Sequence, residues 1–211
     1  MTLLSKSLII GLAISIQAQA GLLELTAGSN KVEGVSVSSS AKMTTPTPAT
    51  LTTFGAGLRA KKVVFVNVKV YVGEFFVADK ASFKKDQALT SVAQQPAAAI
   101  RLHFLRDVDS ANIEKSFIEA LSANKVDAKD AAIAEFLAAV RGGGEAKENS
   151  SMTIAAQKVG ADEFIHYESP SGKLSSIKGS AGFIQKIFSI WFGQPADSGI
   201  ADLQSSILKG L

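Results

Sequence analysis

The chain has 211 residues, 46% apolar and 19% charged, which is ample for one buried core and excludes an intrinsically disordered polypeptide. Twenty-two basic against nineteen acidic residues leave a formal charge of +3, and the longest basic runs are pairs such as Lys61-Lys62 and Lys84-Lys85, so the basic stripe of a nucleic-acid binder is missing. With no cysteine and two histidines, disulfides, thiolate zinc sites, a cysteine nucleophile and a histidine-rich metal centre are all excluded.

The first twenty residues have the form of a secretory signal peptide. Lys6 supplies a positive start, Leu8 to Ile16 an apolar run, and Ala18-Gln19-Ala20 the small residues of a cleavage site ending at Ala20. That run is shorter than the roughly 20 residues needed to cross a bilayer. Without cysteine a lipoprotein anchor is impossible. The expected mature protein is therefore a single domain, 21–211, with no stable membrane anchor. Its address is periplasmic or secreted, and a thiol-free chain suits an oxidising bacterial periplasm.

Residues 21–50 are rich in Ser, Thr, Gly and Pro, with Val32, Val35 and Val37 in alternation. They predict a short edge hairpin and then a loop through Pro46 and Pro48. The β-branched run Val63 to Val72, continued by Gly73-Glu74-Phe75-Phe76-Val77, predicts strand in two segments bent near Asn67 or Gly73. Ala98–Phe104 is a further strand. Asp109 or Ser110 can cap a helix carrying Ile113, Phe117 and Leu121 and ending near Asn124. A second helix from about Asp127 places Ile133, Phe136, Leu137 and Val140 on one face, and Gly142-Gly143-Gly144 stops it. Strand pattern returns over 151–178, with Ser169-Pro170-Ser171-Gly172 as a turn between Phe164–Glu168 and Lys173–Ile177. Helical spacing resumes at Phe183, Ile187, Ile190 and Trp191, breaks at Gly193-Gln194-Pro195, and continues at Leu203, Ile207 and Leu208. Strands, helices, strands and helices in that order predict an α+β domain with an antiparallel sheet.

Generic catalytic signatures are sparse. Gly55-Ala56-Gly57 lacks a third glycine and a following helix, so it reads as a tight turn. His103 and His166 lie in alternating strands and read as structural; Asp107 and Asp109 flank a helix start, where carboxylates cap. No metal and no cofactor is expected.

One constellation carries a resemblance. Gly55-Ala56-Gly57-Leu58-Arg59-Ala60-Lys61-Lys62 is followed by Val68-Lys69-Val70-Tyr71-Val72-Gly73-Glu74-Phe75-Phe76-Val77, then by Leu105-Arg106-Asp107-Val108, and finally by Ser189-Ile190-Trp191-Phe192-Gly193-Gln194-Pro195-Ala196-Asp197. In this order, over about residues 30 to 211, the chain resembles the chalcone isomerase-like family, with its GxGxR turn and K-V-Y strand. The resemblance implies an open-faced β-sandwich: a long antiparallel sheet, helices packed on one face, and a ligand cleft between them.

The catalytic members of that family close a flavanone ring and hold the developing oxyanion with polar side chains. Arg59 matches their arginine. Tyr71 stands at a threonine position, and Ile113, Ala120 and Ile190 stand where tyrosine, asparagine and threonine would be. Losing one oxyanion donor costs about 10²–10³ in rate, so flavanone formation is not expected. Arg59 with Tyr71 resembles instead the pair by which fatty-acid-binding members hold a carboxylate, with Ile113, Phe117, Ala120 and Ile190 leaving an apolar cavity behind it. The reading implied is an exported binder of a fatty acid, a similar apolar carboxylate or a polyketide-like molecule. Two alternatives stay open. One is an intramolecular lyase or isomerase acting on an enone-type substrate through Arg59. The other is a ligand-free envelope scaffold, its cleft filled by Trp191 or Phe183, with Arg59 paired to Glu74 or Asp107 and Tyr71 a core residue.

Overall fold

The computed structural model describes residues 21–44 and 46–211; the expected signal peptide 1–20 and its cleavage position Ala20 lie outside them. Eight strands form one antiparallel sheet in which every strand pairs with its chain neighbour: β1 (Leu23–Val32), β2 (Val35–Met43), β3 (Ala49–Val63), β4 (Val66–Val77), β5 (Ala97–Phe104), β6 (Ser151–Val159), β7 (Asp162–Glu168) and β8 (Leu174–Gly179). The α+β architecture expected from the element order is the one observed.

Five α-helices among the described residues accompany the sheet: α1 (Ala88–Gln94), α2 (Ser110–Ala123), α3 (Ala131–Arg141), α4 (Phe183–Phe192) and α5 (Ser198–Lys209). The side chain of Asp109 accepts from the Asn112 N–H and caps α2, whose buried face is Ile113, Phe117, Ala120 and Leu121. The main core lies between this helical layer and the sheet, built on Phe75, Ile100, Phe136, Phe188 and Trp191. A smaller apolar cluster on the opposite face joins Leu22, Met43, Leu51, Phe76 and Ala99. On that second face Glu74 is fully buried. It accepts from the Ser38 N–H at 2.6 Å and pairs with Arg101 at 2.9 Å.

Four sequence expectations are corrected. The β-rich run does not bend at Asn67 or Gly73 but reverses at Val64-Phe65, so Val63 ends β3 and Val66 begins β4. The first hairpin is not short: β1 and β2 have ten and nine residues. The second helix starts at Ala131 rather than about Asp127. Asp127 turns back on the Lys129 N–H, and Asp130 is the residue whose carboxylate caps the helix. Finally, Gly55-Ala56-Gly57 is not a turn but the middle of β3. Its two glycines face α5. A Cβ at Gly55 would lie 2.0 Å from the Ile207 carbonyl oxygen, and one at Gly57 would lie 2.7 Å from Ser206 Cβ. Hydrogen side chains let the second half of α5 rest directly on the strand.

Candidate functional site

Between the hairpin ends of β3 and β4 and helix α2 lies a cavity of about 500 Å³. Its floor is the sheet: Arg59 from β3, Val68, Val70 and Tyr71 from β4, Leu102 and Phe104 from β5. Its roof is α2 through Ile113, Phe117 and Ala120, with Ile190 of α4 and Ile200 of α5 closing the deep end. Lys61, Arg106, Lys115, Asp107, Asp109 and Glu119 form a mixed-charge exposed rim. The volume lies inside the range of small-molecule sites, and the buried lining is apolar apart from Arg59 and Tyr71.

Those two are direct partners across β3 and β4, because a register shift after Arg59 brings it opposite Tyr71. Both are 7% exposed. The Arg59 guanidinium donates to the Ala60 carbonyl and, at 2.6 Å, to the Asp197 carboxylate. The other Asp197 oxygen accepts from the Ile200 N–H at 3.0 Å and so caps α5. A guanidinium has five N–H donors, and these two contacts use only part of the fork. The Tyr71 oxygen accepts from the Trp191 indole N–H at 3.3 Å, which leaves the phenol proton to be donated elsewhere. Burial pushes the Tyr71 phenol above its ordinary value, opposed by the Arg59 charge and the indole donor. The group therefore stays a neutral donor at physiological pH.

All six residues singled out by sequence, Arg59, Tyr71, Ile113, Phe117, Ala120 and Ile190, line this one cavity. The partner of Arg59 is Asp197 rather than Glu74, which pairs with Arg101, or Asp107, which pairs with Lys147. Neither Trp191 nor Phe183 fills the cleft. Trp191 packs beneath it, edge-on to Phe117 at 5.5 Å, and Phe183 is buried against Gly179.

Sequence reasoning missed Asp197 and the Trp191 donor. Asp197 had a local signal, an acidic residue after Pro195 at the start of a helical period, but nothing local says which cation it meets. His103 and His166 are bonded within the sheet to Ser151 and Ser176, and Asp109 caps α2 as its position suggests, whereas Asp107 does not cap: its carboxylate accepts from the Glu148 N–H and pairs with Lys147.

The sequence profile of a family described as chalcone isomerase-like matches residues 29–208. A search of curated proteins finds no match. Among solved structures, the fold is similar to that of a fatty-acid binding protein of Arabidopsis thaliana. The TM-score is 0.53 at 16% identity, over 75% of this chain and 89% of that one.

Proposed function

This chain belongs to the chalcone isomerase-like family, and we propose that it binds a fatty acid or a similar long apolar carboxylate, held by Arg59 and Tyr71 with its hydrocarbon against α2. The observation that carries the reading is the pairing of a planar cation and a neutral phenol donor in a cavity whose other buried lining residues are all hydrocarbon. A guanidinium fork matches a carboxylate in geometry and charge, and a phenol adds one more donor. Ile113, Ala120 and Ile190 supply contact for an acyl chain and no donor for an oxyanion. Turnover of an enone is therefore not part of the reading. Export to the periplasm through residues 1–20 belongs to the same proposal, and the N-terminal residue of the protein recovered from that compartment tests it.

The direct test is native mass spectrometry for co-purified lipid, followed by titration with a labelled fatty acid. Arg59→Met and Tyr71→Phe should each weaken binding about tenfold, the scale of a lost charged or neutral hydrogen bond in a buried site. Wild-type affinity in both variants would remove the clamp. Turnover of a chalcone panel with no saturable lipid binding would favour the lyase alternative instead.

A further inference from the structure

The most exposed apolar side chains of the described residues sit together at one point. Val64, Phe65 and Val66, at the tip of the β3–β4 hairpin, are 75%, 93% and 63% exposed. A hairpin reversal is ordinarily polar or glycine-rich, because two residues must turn in water. Here the turn is apolar, and Val64 lies in the left-handed region at φ 56°, a conformation that β-branched residues avoid. Nothing in the folded domain repays that choice of residues, since none of the three side chains is buried.

Lysines surround the tip. Residues 61–73 contain Lys61, Lys62 and Lys69 and no carboxylate. Lys69 pairs with Glu33 of the β1–β2 turn, which draws that turn alongside the hairpin, while Lys61 and Lys62 have no ion-pair partner among the described residues. An aromatic and two aliphatic side chains flanked by two unpaired ammonium groups match the boundary between acyl chains and anionic headgroups. No described helix is long and apolar enough to cross a membrane, so this is contact with a surface and not a span.

The same hairpin is a wall of the cavity. Lys61 and Val68, register partners near the tip, both line it, and Val70 and Tyr71 follow on the same strand toward the clamp. We propose that the Val64-Phe65-Val66 tip inserts into the outer layer of an anionic lipid bilayer, with Lys61 and Lys62 on the headgroups, so that the cavity mouth is presented to the membrane from which an apolar carboxylate enters or leaves. This rests on the ligand reading given above for its purpose, but the surface contact can be measured without any cavity ligand.

The test is flotation of the purified protein with vesicles of phosphatidylcholine, alone or with one-third phosphatidylglycerol, alongside oleate titration in lipid-free buffer. Wild type should float with the anionic vesicles. Binding should fall on raising salt from about 0.1 M to about 1 M, which shortens the Debye length from about 10 to about 3 Å. Phe65→Ser should reduce vesicle binding about tenfold or more. Lys62→Gln should reduce it about fivefold on the anionic vesicles only. Neither change should alter oleate affinity, since neither residue lines the cavity.

Failure of the wild type to float, or flotation of Phe65→Ser at the wild-type level with an intact circular dichroism spectrum, overturns the proposal. So does a lipid-free dimer that Phe65→Ser abolishes, because the tip would then serve a second copy of the chain. Vesicle binding without oleate binding supports the docking surface and removes the ligand reading. Oleate binding without vesicle binding does the reverse.

Discussion

Replacing Asp197 by asparagine separates two jobs that one carboxylate performs. In the folded chain its Oδ2 takes the Arg59 fork and its Oδ1 caps α5. Asparagine is as good an N-cap as aspartate, so Asp197→Asn keeps the helix start and removes only the charge. The Asp197 side chain is 42% exposed, and such a pair contributes less than about 1 kcal/mol. In a domain of this size the midpoint of thermal unfolding should fall by no more than about 4 °C. The effect on binding has the opposite sign. A ligand carboxylate on the remaining Arg59 donors would sit about 4–5 Å from the Asp197 carboxylate, a repulsion of about 3–4 kcal/mol at an effective dielectric constant of about 20. Solvent at the half-exposed aspartate screens most of this, leaving about 1 kcal/mol, or about fivefold in affinity. Calorimetric titration with dodecanoate should therefore show tighter binding to Asp197→Asn than to wild type. Titration with dodecanol, which has no charge to repel, should show no difference. Unchanged or weaker dodecanoate binding in a folded Asn variant would refute the idea that Asp197 competes with the ligand for Arg59.

Gly55→Ala should cost about 2–3 kcal/mol, read as a lower urea midpoint, because its Cβ meets the backbone of Ile207 at 2.0 Å and α5 must move as a unit. Glu74→Ala should cost about 3 kcal/mol in the same assay. It strips Arg101 of its partner and leaves the Ser38 N–H unpaired in the second core. Burial holds the His166 imidazole below its ordinary value, so the unfolded chain takes up that proton at a higher pH than the folded one. Its contribution is therefore present above about pH 6.5 and is lost as pH falls from there through the lower value of the folded state. Denaturation midpoints should drop from pH 8 to about 5.5, and His166→Gln should flatten the slope; an unchanged slope would assign it to other groups such as His103, shifted the same way by its own burial.

The helices of this fold are legible in the chain because their signals are local. Asp109, Ile113, Phe117 and Leu121 carry cap and period together within a few turns. The β3–β4 reversal is illegible for the same reason: Val64-Phe65 has the composition of a strand, and only the pairing of Val63 with Val66 shows that it turns. Gly55 and Gly57 mislead because glycine pairs usually mark turns, whereas here a helix some 150 residues later needs the space. At the site, the residues facing the cavity follow from strand alternation and helix period once a register is assumed. The Asp197 contact does not, because it depends on how α5 lands on β3. Nor was α1 anticipated; Ala88–Gln94 buries only Ala88, Ser91 and Val92, too short a face to show a period.

The sheet can assemble strand by strand as the chain emerges, since each strand pairs with the one made just before it. The cavity cannot. Arg59 is made early, yet its counter-charge Asp197 and the deep wall at Ile200 arrive with the last helix. Until then α2 and α4 can roof the sheet, but the guanidinium lacks its carboxylate partner and one end of the cavity stays open. The proposed site is therefore complete only once α5 is in place, and a chain cut short after α4 would keep its sheet while lacking both the Arg59 partner and the wall at Ile200.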